Sequence, residues 1–109
     1  MLIVLTTVST MEVAETLAGA IVNLKLAACV QILSPVTSVY FWEGEVQKEK
    51  EYLLLIKTLP EKWEELRDFI SEHHSYEVPE IVAIDGSRVS EPYRDWLVSV
   101  LGPGPSHFS

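Results

Sequence analysis

The chain reads as an α+β protein of the split βαβ type: strand, helix, strand, strand, helix, strand, then one further helix. Three observations predict it. Leu2 to Val8 is a nearly unbroken apolar run rich in β-branched residues. Two segments, one after Ser9 and one after Pro60, place apolar residues at helical spacing. Between them lies a hairpin of unusual length, turning at Glu43-Gly44.

Taken in order, Leu2–Val8 has the pattern of a strand covered on both faces. Ser9 stands three residues before Glu12, a capping-box spacing, and Val13, Leu17, Ile21 and Leu24 then follow on one helical face beside Ala14 and Ala18. Strand character returns from Ala27 to Leu33 and resumes from Val36 to Trp42, so one long strand is expected, bent or bulged at Ser34-Pro35. The returning strand, Glu45 to Thr58, is polar in its first half and apolar from Leu53 to Ile56. Its first half is therefore exposed and its second half central. Pro60 suits the first turn of a second helix with early glutamates at 61, 64 and 65, a core stripe of Trp63, Leu66, Phe69 and Ile70, and His73 and His74 at its end. A short strand follows Pro79 from Ile81 to Ile84. Ser90 caps a last helix carrying Tyr93, Trp96, Leu97, Val100 and Leu101, which stops at Gly102. Residues 1–102 thus form one domain. The Gly- and Pro-rich segment 103–109 has little to bury and is expected to be disordered.

A strand as long as Glu45–Thr58 reaches about 40 Å, whereas a compact domain of this size has a radius of gyration near 13 Å. The hairpin should overhang its own domain, leaving edges open for pairing with another subunit. Its tip carries three consecutive aromatics, Tyr40, Phe41 and Trp42, and rings of that size normally sit in a core or an interface. Hydrophobic residues make up 48% of the chain, more than a small monomer needs for its interior, which points to burial against other copies.

The formal net charge of −8 leaves no basic stripe to neutralise phosphates, arguing against nucleic acid and anionic membranes as partners. No apolar run is long enough to span a bilayer, and Leu2 to Leu5 lacks the basic flank of a signal peptide. A single cysteine, Cys29, cannot form an internal disulfide. The expected location is the cytoplasm. Catalytic signatures are missing: there is no Gly-x-Ser-x-Gly, no phosphate-cradling glycine loop and no His-Glu-x-x-His. A non-catalytic protein is expected.

Six fragments in register carry a more specific likeness. They are Thr6-Thr7, the run Leu26 to Val30, the hairpin Ser38-x-Tyr40-x-Trp42-x-Gly44-x-Val46, Glu51 with Lys57-Thr58, the run His74-x-Tyr76-Glu77-Val78-Pro79-Glu80-Ile81, and Tyr93-x-x-Trp96-Leu97. Together they run from about Leu2 to Leu101, and through them the chain resembles the CutA family of divalent-cation tolerance proteins. Gln31, where Asn is usual, and Ser75, where Pro is usual, depart from the pattern; Ser75 leaves its turn less rigid than proline would. The resemblance implies ferredoxin-like subunits, a homotrimer whose long hairpins exchange edge strands, a build similar to PII signalling proteins, and an association with copper and other divalent metals.

Metal chemistry finds thinner support in the residues themselves. Adjacent His73 and His74 point apart on a helix, and the bland reading of the pair is contact with helix C-terminal carbonyls. Cys29 joins the candidate ligands as the one thiol, although such a strand residue ordinarily packs as a small hydrophobe. His74 with Glu77 or Glu80, set beside a neighbour's hairpin, would offer nitrogen and oxygen ligands for a labile divalent ion. By the PII likeness, Tyr40, Trp42, Glu51, Lys57 and Tyr76 would line an intersubunit cleft for a small molecule. The alternatives are packing for the aromatics and, for Glu51 and Lys57, solvated strand residues or an ion pair of little energetic weight. Three functions follow: a metal-associated trimer, a ligand-responsive PII-like trimer, or a purely structural trimerisation module that anchors another protein.

Overall fold

The computed structural model describes residues 1–102; the expectation of disorder over 103–109 lies outside them. The elements are β1 (Leu2–Val8), α1 (Met11–Asn23), β2 (Cys29–Ile32), β3 (Val36–Trp42), β4 (Glu45–Thr58), a 3-10 turn (Pro60–Lys62), α2 (Trp63–His73), β5 (Val82–Asp85) and α3 (Glu91–Leu101). The antiparallel sheet has the order β2-β4-β1-β5, and β3 continues outward beside the first half of β4. This is the ferredoxin-like arrangement expected, with the second strand in two pieces.

The register explains the break. Ile32 lies opposite Leu54 and Val36 opposite Glu51, so four residue steps on one strand face three on the other. One extra residue at Leu33–Pro35 makes a bulge there, where proline lacks a ladder donor. β4 runs through unbroken, so its odd-numbered side chains keep one sheet face from Glu45 to Lys57 and its even-numbered ones keep the other.

On the even face, Val4, Val8, Leu54 and Ile56 pack against Ala14, Leu17, Ala18 and Ile21 of α1 and Leu66 and Ile70 of α2. The α1 terminus corrects the sequence reading. Thr10, not Ser9, is the cap, accepting a hydrogen bond from Val13 N at 3.1 Å. With the cap one residue later, Glu12 no longer falls at the third helical position, and no reciprocal capping box forms. The helix ends in a Schellman pair, Leu26 N to Ile21 O and Lys25 N to Val22 O, with Lys25 held at φ 60°. His74 lies just past α2 in extended conformation rather than within the helix. A second small cluster, Ala28, Leu59, Leu97 and Leu101, docks α3 at the sheet end where β1 begins and β4 stops.

On the odd face, Ile3 and Leu5 of β1, Leu53 and Leu55 of β4, and Val82 and Ile84 of β5 stand side by side. Neither α1 nor α2 covers them. Val82 and Ile84 are 45% and 48% exposed. The arm projects as expected: the described residues extend 54 × 27 × 24 Å with a radius of gyration of 15.2 Å, against about 13 Å for a compact domain.

Candidate functional site

A cleft of about 640 Å³ opens where the base of the arm meets the loop between α2 and β5. Each wall follows from a strand period or a loop anchor. Alternation puts Ser38, Tyr40 and Trp42 of β3 on the same ribbon face as Glu49 and Glu51 of β4. The loop supplies Tyr76, Glu77, Val78 and Glu80, and the end of β1 supplies Thr7 and Ser9. Four of the lining residues are glutamates and none is Lys, Arg or His.

Glu51 is the buried member, 8% exposed. Its Oε2 accepts a hydrogen bond from the Tyr76 hydroxyl at 2.7 Å. Burial, this bond and the Glu51 charge push the Tyr76 phenol well above its usual range. Tyr40 is pushed the same way, first by desolvation and then by Glu49 and Glu51.

His74 holds the loop in place. Its Nδ1 accepts from Tyr76 N at 3.1 Å, and Nε2 lies 2.8 Å from Thr7 O. Because the main-chain N–H can only donate, these bonds assign the hydrogen to Nε2, which donates to Thr7 O. The ring also rests against Tyr76, with centroids 4.6 Å apart. With Ser75 between His74 and Tyr76, the turn is pinned on both sides of the imidazole. His73 points elsewhere, its Nδ1 2.9 Å from Phe69 O and its ring stacked on Phe69.

The proposed site residues divide into two groups. Tyr40, Trp42, Glu51, Tyr76, Glu77 and Glu80 share the cleft, with His74 behind it. Lys57 and Cys29 face each other at the far end of the sheet, six residues along β4 from Glu51, which is about 20 Å. The ion pair between Glu51 and Lys57 therefore does not form; Lys57 Nζ donates instead to Gln31 Oε1. Cys29 is a half-buried free thiol beside the Tyr93 hydroxyl, whose pKa is raised by burial and by that thiol.

Among the described residues, no group of three or more His, Cys, Asp and Glu is placed to hold a metal ion. Both ring nitrogens of His74 are engaged, and Cys29 is remote. Within one chain, then, His74, Glu77, Glu80 and Cys29 do not fit together as a metal centre. Glu49 and the Thr7 carbonyl were missed in sequence reading. Glu49 was within reach of a period-of-two argument, since Glu45, Glu49 and Glu51 share one face of β4 while Lys48 and Lys50 share the other.

The fold and cleft define a ferredoxin-like protein with a projecting hairpin and an acidic, aromatic hollow at its base. The family model described as CutA1 divalent ion tolerance protein matches residues 2–100, and the chain belongs to that family. It is similar to the divalent-cation tolerance protein CutA of Thermus thermophilus, 45% identical over 95 residues covering 87% of this chain and 92% of that protein. It is similar also to the chloroplastic protein CutA of Arabidopsis thaliana, 43% identical over 96 residues, 88% of this chain but 53% of that longer protein. Among solved structures, the periplasmic divalent cation tolerance protein CutA from Archaeoglobus fulgidus superposes with a TM-score of 0.89 at 35% identity, covering 93% of this chain and 99% of that one. The compartments in these names differ, and no helix among the described residues is long and apolar enough to cross a membrane.

Proposed function

We propose that this chain acts in divalent-cation tolerance as a non-catalytic, cytoplasmic homotrimer. The observation that carries the assembly is the uncovered odd face of the sheet. Six aliphatic side chains line it, and on the opposite face of the ribbon the arm leaves Val39, Phe41 and Val46 59%, 70% and 65% exposed. Apolar surfaces left open in this way drive association. The number three comes from the CutA likeness. Sedimentation equilibrium tests it directly: a trimer of 12.3 kDa chains has a mass of about 37 kDa, and a 12.3 kDa species at micromolar concentration overturns the reading.

Copper or another divalent ion, on this reading, associates weakly, drawn by a net charge of −8 and by scattered carboxylates such as Glu77 and Glu80 rather than by a closed histidine and cysteine centre. Calorimetric titration of copper into the wild type and His74→Ala should give superimposable isotherms that weaken together as salt is added. A tight transition lost only in His74→Ala would restore that residue as a ligand.

A further inference from the structure

We propose that the hollow between the start of β1, the loop 86–90 and the first turn of α3 binds a small oxyanion of the phosphate-monoester class. It lies at the end of the sheet away from the arm, where Leu2 stands between Thr58 and Asp85, and it encloses about 510 Å³. Gly86 sets its floor. The Gly86 N–H donates to Met1 O at 2.9 Å, and a Cβ there would come 3.3 Å from that same oxygen. This close approach holds the loop against the start of β1 and brings Arg88 into one lining with Arg94, one turn into α3. Two of the chain's three arginines thus share a hollow in a chain of formal net charge −8. Neither makes an ion pair among the described residues, where the recorded salt bridge is Arg67 to Asp68. Glu91 stands three residues before Arg94 on the helix, a spacing at which opposite charges can meet, and the two still do not pair.

The lining selects the occupant. A guanidinium presents a planar fork of N–H donors that matches two oxygens of a phosphate, and Ser87 in the same lining adds a hydroxyl. One terminal phosphate dianion has oxygens enough for both forks and offsets the repulsion between two like charges. A divalent metal would meet two positive charges and one carboxylate. An apolar ligand would desolvate the guanidinium groups and leave them without partners. A nucleic acid needs a track of positive charge, whereas these two arginines stand alone on an acidic chain that repels a polyanion. The ligand is therefore small. The N-terminal end of α3 opens here too, but Glu91 already occupies it; the charge that draws an anion is that of Arg88 and Arg94. Both belong to one chain, so the site goes beyond the part in metal tolerance and does not depend on it.

Glycerol 3-phosphate is titrated into the intact, assembled protein and followed by calorimetry at about pH 8, where a phosphate monoester is a dianion. Sodium chloride at matched ionic strength and sodium acetate, a carboxylate that fills a single fork, serve as controls. The phosphate should bind saturably and acetate roughly tenfold or more weakly. Arg88→Gln and Arg94→Gln should each weaken the phosphate by roughly tenfold. Arg67→Gln removes the same charge but lies on α2 beside Asp68, and should leave affinity unchanged. Arg88 and Arg94 are exposed, so both variants should keep the fold, which circular dichroism checks. Absence of saturable phosphate binding overturns the proposal. So does an equal loss in Arg67→Gln, which would mark general charge attraction, or unchanged affinity in both Arg88→Gln and Arg94→Gln. Acetate binding as tightly as the phosphate would overturn the assigned ligand class.

Discussion

Replacing a hydroxyl by a methyl group should strengthen this protein at Thr6 and weaken it at Thr58, although both residues lie on the helix-covered face with no exposed surface. Thr6 Oγ1 is buried with no hydrogen-bond partner. Thr58 Oγ1 donates to Leu26 O at 2.7 Å, tying the turn after α1 to the end of β4. A stranded buried polar group costs about 1–3 kcal/mol, and each added buried methyl contributes about 0.8 kcal/mol. Thr6→Val removes the stranded hydroxyl and gains the methyl, for a stabilisation on the order of 1–3 kcal/mol. Thr58→Val gains the same methyl but leaves the Leu26 carbonyl without its donor, for a net loss of about 1 kcal/mol or more. Urea unfolding followed by circular dichroism measures both, with all samples at one protomer concentration because association contributes to apparent stability. The two midpoints should move in opposite directions with the slopes unchanged. Shifts of the same sign and similar size would refute the reasoning, since burial alone would then explain both.

Other consequences can be checked in parallel. Tyr76 holds its proton above the ordinary 10.0, so its contribution to stability is complete below pH 10 and is lost as pH rises from there toward the folded-state value. In a spectrophotometric titration, Tyr76→Phe should delete the most alkaline phenol transition and flatten that part of the stability profile; an unchanged late transition would count against the Glu51 bond. Phe41→Ser should leave the unfolding slope of the chain intact but loosen assembly, by about 2 kcal/mol for each ring no longer buried between copies, seen as dissociation at higher concentration in sedimentation. Glu43 and Lys25 occupy positive φ of 50° and 60°, so Glu43→Asn in the arm turn and Lys25→Gly after α1 should each raise stability by about 0.5–1 kcal/mol. Thermal unfolding that drops in either variant would indicate contacts of the native side chain outweighing backbone strain.

How much of this was legible in the sequence depended on how local the cause was. The periods of two and 3.6, the Glu43-Gly44 turn and the Ser34-Pro35 interruption placed the elements within a residue or two, because alternation and backbone chemistry act between near neighbours. The α1 cap shifted from Ser9 to Thr10 because two adjacent hydroxyls compete for it, and only the helix start decides which one meets Val13 N. The PII likeness put Lys57 in the cleft with Glu51, yet the two stand six residues apart on one extended strand, about 20 Å.

By itself, then, the sequence determined the order of elements, the overhanging arm, the acidic character and the family, all of which rest on composition and spacing along the chain. Only the tertiary structure decided that His74 spends both ring nitrogens on Thr7 and Tyr76, that Glu51 is buried beneath Tyr76, and that the aromatics of β3 meet the glutamates of β4 in one hollow. Those facts depend on which atoms converge from segments far apart in the chain, and that convergence is fixed by strand register and loop anchoring rather than by residue type.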